Sequence, residues 1–195
     1  MKTSDYITIT ISVVSLAIAI TGAVRAFMTE QKVSRINVMD KSIEALKLIN
    51  DLLTHAGDRF LAFAERHRDF RLRTDDVVDE AIATNDNPLI DKIVAARKEA
   101  LDKLADSEQK TDQQLTRLKD TFNFFVGIQN NKTVDEFTIR RNLTGAYQIY
   151  YGMMLMLVGS FQILNGCEYH LSAWRSYIAA SKAKSKERVA AGGAS

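Results

Sequence analysis

Four glycines recur seven residues apart, Gly145, Gly152, Gly159 and Gly166, inside a run without charge from Asn142 to Cys167. On an α-helix a seven-residue step returns the chain to within about 20° of the same face, so the four form one stripe. In water such a helix loses roughly 1 kcal/mol per glycine relative to alanine. A glycine line is tolerated where two helix backbones approach closely, most often in a membrane. Leu143, Tyr147, Tyr150, Met154, Leu157, Phe161 and Leu164 alternate at four and three and make a bulky opposite face. A helix apolar on one side and smooth on the other calls for cover on both.

The remainder of the chain also reads as helix. One proline and nine glycines in 195 residues leave few turns, and no alternating run of β-branched residues suggests a strand. Tyr6 to Val24 carries no charge and is long enough to span about 30 Å of hydrocarbon. A cleaved signal peptide is the rival, but the run is longer than a typical signal core, which favours an uncleaved anchor. Ser15, Ala19 and Ala23 share one face of it, a small-residue spacing that suits helix contact in lipid.

From Glu30 the pattern becomes amphipathic. Ile36, Met39, Ile43, Leu46, Leu53, Phe60, Phe63 and Phe70 mark a heptad-like seam with Asn50 and Gly57 as weak points. Arg71 to Asp76 reads as a break. Asn85-Asp86-Asn87-Pro88 supplies a turn, a cap and a proline at a helix start. A second helix of matching length follows, with Ile90, Val94, Leu101, Leu104, Leu115, Leu118, Phe122 and Phe125 on its seam. Thr133 and Glu136 form a capping box for the third.

The expectation is therefore an all-α chain: a transmembrane anchor over 1–28, an antiparallel hairpin over 29–133, a glycine-striped helix over 134–181 and a basic disordered tail over 182–195. The third helix either re-enters the membrane or packs on the hairpin as a third bundle helix. The stripe's cost in water favours the second span. This places the chain in a membrane, of the bacterial inner-membrane kind, in one or two passes.

Chemistry is sparse. The single cysteine excludes an intrachain disulfide and a cysteine-based zinc cluster. His55, His67 and His170 lack the Glu-x-x-His partners of a helical di-metal site. Cys167 and His170 are three apart but have no third orienting group, so they are read as structural. No phosphate loop or nucleophile elbow occurs. Arg66, Arg68, Arg71 and Arg73 are dense, yet Asp75, Asp76, Asp79 and Glu80 follow and are expected to neutralise them. No catalytic residue, metal, cofactor or nucleic-acid partner is assigned. Lys182, Lys184, Lys186 and Arg188 form a candidate lipid-surface tail. The function expected is a non-enzymatic membrane scaffold that pairs with itself or another helical membrane protein through Gly145, Gly152, Gly159 and Gly166. The alternatives are a membrane-permeabilising effector and a two-span sensor.

Overall fold

A computed structural model describes residues 3–131 and 134–192, with side chains over 19–128 and 134–190. Three helices make up the described chain: α1 (Thr3–Ile82), α2 (Asn87–Asn131) and α3 (Glu136–Gly192). Each packs on the other two, and no strand occurs among the described residues. The third helix thus lies along the hairpin as the third member of a bundle.

Buried residues return every seven positions. On α1 they are Ser42, Ile49, Ala56, Phe63, Phe70 and Val77; on α2, Leu104, Thr111, Leu118 and Phe125. On α3, Ala146, Met153 and Ser160 alternate with Leu157, Leu164, Leu171 and Ile178. A strict seven-residue repeat keeps one seam facing the partner helices as they supercoil. Phe63 meets Phe161 of α3 edge-on, with centroids 5.6 Å apart. Among the described residues the buried hydroxyls Ser42, Thr74, Thr111 and Ser160 each donate to a carbonyl three or four residues back in their own helix.

Helices α1 and α3 run parallel in a fixed register. Tyr150 reaches His55, Glu168 accepts from Arg73, and Ser181 donates to Asp86; each pair is separated by 95 in sequence. Lys41 and Glu136, 2.6 Å apart, hold the other end. Asn85 takes φ 56°, reversing the chain after α1, and Asp86 Oδ1 accepts from the Leu89 N–H to cap α2. Pro88 is then the second helical residue. Asp135 caps α3 by accepting from the Thr138 N–H, and the Thr138 hydroxyl together with that N–H holds its carboxyl below the usual range. Thr133 of the expected capping box lies outside the described residues.

Several expectations are corrected. Among the described residues no helix is long and apolar enough to cross a membrane. That overturns the integral-membrane scaffold, the single- or two-pass placement and the inner-membrane location, and the permeabilising and two-span sensor readings go with them. The reason is visible in the third helix. Its uncharged run gives one face to a core shared with two charged helices, while Gln148, Gln162 and Asn165 lie on its exposed side. The expected first span, Tyr6 to Val24, falls up to Ile18 outside the described side chains; Ala19 to Val24 are exposed.

The break at Arg71 to Asp76 does not occur. That stretch holds neither glycine nor proline, and Phe70, Thr74 and Val77 continue the buried line through it. The basic tail is helical as far as Gly192.

The core position of Phe63, fully buried, predicts that Phe63→Ala lowers unfolding free energy by about 3–5 kcal/mol. Leu61→Ala, at an exposed neighbour, should stay within about 0.5 kcal/mol. Urea titration followed by circular dichroism compares the two.

Candidate functional site

The polar groups between the helices act as register pins. Glu168 on α3 accepts from Arg66 and Arg73 of α1, at 2.9 Å each, and Arg66 also donates to Asn165. Arg73 Nε lies 2.9 Å from Asp69 Oδ2, an ion pair whose angle does not make a hydrogen bond. Between α1 and α2, His67 Nδ1 sits 2.6 Å from Glu108 Oε2, and Arg97 joins Thr74 and the Asp75 carboxylate. The Ser107 and Ser160 hydroxyls touch between α2 and α3.

The arginine cluster therefore does not form one patch. Arg66 and Arg73 turn to α3, while Arg68 and Arg71 line a groove against α2. Asp75, expected to neutralise the cluster, is held by Arg97 instead. Glu168, a hundred residues downstream, does that work, and no local sequence pattern pointed to it.

The candidate catalytic and metal groups are not brought together. His55 bonds Tyr150, His67 bonds Glu108, and His170 packs edge-on to Tyr169. Among the described residues no three His, Cys, Asp or Glu side chains converge on a point that could hold a metal ion. Cys167 is half-buried, and burial pushes its thiol up, which disfavours the reactive thiolate.

The glycine stripe points outward. A Cβ at Gly145, Gly152, Gly159 or Gly166 would meet nothing within 4 Å, so no helix of this chain uses the stripe for close approach. The buried seam of α3 is rotated from the bulky face read in the sequence. Ala146, Met153 and Ser160 are buried, whereas Tyr147 is exposed and Met154 and Phe161 are half-buried. Large apolar side chains stand beside the stripe: Tyr151 is 66%, Leu155 56% and Val158 54% exposed, with Phe137 and Tyr169 further along. This outer face of α3 is an exposed, largely uncharged surface that the core does not use.

The other expected contact residues lie elsewhere. Ser15 is outside the described side chains, while Ala19 and Ala23 are exposed on the stretch of α1 that precedes the bundle. Lys182, Lys184, Lys186 and Arg188 are exposed on the last turns of α3, with Lys182 3.9 Å from Glu80. At the same end as Glu136, Ile36, Val38, Met39 and Ile128 border an open hollow of about 460 Å³, with Lys32 and Arg35 at its rim. No family model, curated protein or solved structure matches the chain.

Because the space beside the stripe is open, Gly152→Ala and Gly159→Ala should each stabilise the bundle, by up to about 1 kcal/mol. The shift of the urea midpoint at low protein concentration measures this. A fall in midpoint would mean that those backbones are already in close contact.

Proposed function

We propose that the chain is a non-enzymatic helical interaction module, a braced three-helix rod that offers the outer face of α3 to a partner helix. The observation carrying this reading is the exposed, uncharged strip of Tyr151, Leu155 and Val158 beside four open glycines. Contiguous apolar surface of this kind marks interaction sites more often than idle exterior. Tyrosine suits such a face, since its ring buries well while its hydroxyl keeps a polar partner.

The glycines support the same reading on energetic grounds. Four of them on an exposed helix cost on the order of 4 kcal/mol against alanine. That cost is offset when a partner backbone approaches into the space a Cβ would fill. The ion pairs and hydrogen bonds between α1 and α3 keep the face straight and rigid, so little ordering is needed on binding.

A photo-crosslinking amino acid placed at Val158, in cells making the full chain, tests the reading. A discrete protein adduct is expected from Val158 and none from a control at Arg117, exposed on α2. A Val158 probe that yields no adduct in the folded chain would refute it.

A further inference from the structure

We infer that the occupant of this face is a second copy of the chain, laid antiparallel along α3 with the two-fold axis at Leu155. The inference rests on the reading of α3 as an interaction face and names its partner. In such a pair, residues equidistant from Leu155 on the two copies face one another.

The size pattern then closes on itself. Tyr151 falls opposite Gly159 of the second copy, and Val158 opposite Gly152. Thr144 meets Gly166, Asn165 meets Gly145, and Phe137, well exposed, meets Ala173. Five of the six flank pairs set a larger residue against glycine or alanine; Ser172 opposite Thr138 is the sixth. A Cβ-free position lets the opposing helix approach closely enough for the large side chain to fill the gap.

The midline of the face agrees. Gln148 lies opposite Gln162, a pair of amides that can donate to and accept from each other. Arg141, the one charged residue of the strip from Phe137 to Ala173 on this face, lies opposite Tyr169, where a guanidinium can stack on the ring. With no acidic group on it, the face has nothing to complement a basic partner and one arginine for an acidic one; it complements its own copy along its whole length.

A parallel pair fails on the same residues. It sets glycine against glycine, Tyr151 against Tyr151 and Arg141 against Arg141, leaving voids beside clashes. It also brings together two tails carrying Lys182, Lys184, Lys186 and Arg188, which the antiparallel pair sends to opposite ends. The contact runs roughly 50 Å along the helix. It would bury on the order of 600–800 Å² per copy, enough for a specific but reversible dimer.

The test uses the full chain, with Cys167→Ser as the common background, and a short bis-maleimide. Copies carrying Arg141→Cys, mixed with copies carrying Tyr169→Cys, should cross-link, while neither variant cross-links with itself. Strong self-linking of the Tyr169→Cys variant would overturn the antiparallel register. Sedimentation velocity should show a dimer at roughly 100 μM protein. Gly152→Leu with Gly159→Leu should weaken it by about 100-fold. Its circular dichroism should be unchanged, since a Cβ at either position meets nothing within 4 Å inside the chain and points outward. A wild-type chain that stays monomeric overturns self-pairing. If the Val158 probe then captures a different protein, the interaction reading survives and only its occupant is wrong; if it captures nothing, both fall.

Discussion

The bundle depends on one constraint: buried residues that recur at seven, in phase, on three helices at once. The line from Ser42 to Val77 on α1 has to meet those of α2 and α3 over about ten turns. A slip of one residue along any helix would rotate its buried set out of the core. The charged contacts sit where they resist such a slip. Glu168 gripping two arginines two turns apart on α1, and His67 against Glu108, are worth little singly at a half-exposed surface. Their value is in fixing which turn faces which, with the aromatic contact of Phe63 and Phe161 between them.

Much of this architecture is legible in the sequence. Seven-residue spacing, few prolines and the matched lengths around Asn85 to Pro88 point to three long helices, and the bundle is one of two arrangements they allow. The phase is not legible. Core positions held by Ala45, Ala56, Ala100 and Ala146, and by Ser42, Thr74, Thr111 and Ser160, carry no bulk to advertise them. A reading that follows the largest apolar residue at each turn keeps Leu157 and Leu164 but drifts toward Tyr147 and Met154, about a seventh of a turn off the buried seam. Small and hydroxylated residues are placed there because three helices must come close, and that requirement exists only once the helices are assembled.

The membrane assignment fails at the third helix for a related reason. Absence of charge from Asn142 to Cys167 resembles lipid solubility, but hydropathy depends on what replaces the charge. Here glycine, glutamine, asparagine and tyrosine stand among the aliphatic residues, which gives a mixed surface in place of a continuously oily one. Such a surface suits contact with another protein face, where backbone and amide groups still find partners. The arginine cluster misleads in the opposite direction. Its neutralising acid, Glu168, lies far along the chain, and only the parallel register of α1 and α3 brings it into place.

Helix α1 begins far ahead of the bundle. Between Thr3 and Lys41, where α3 first meets it, α1 continues for roughly 55 Å as a single helix. A rod of that length transmits orientation as well as position, because twisting or tilting it is resisted by every backbone hydrogen bond along it. Whatever meets the amino end is held at a set distance and bearing from the α3 face. Two bundles paired antiparallel about a two-fold axis would point their arms in opposite directions, making a ruler with a central joint and two equivalent arms.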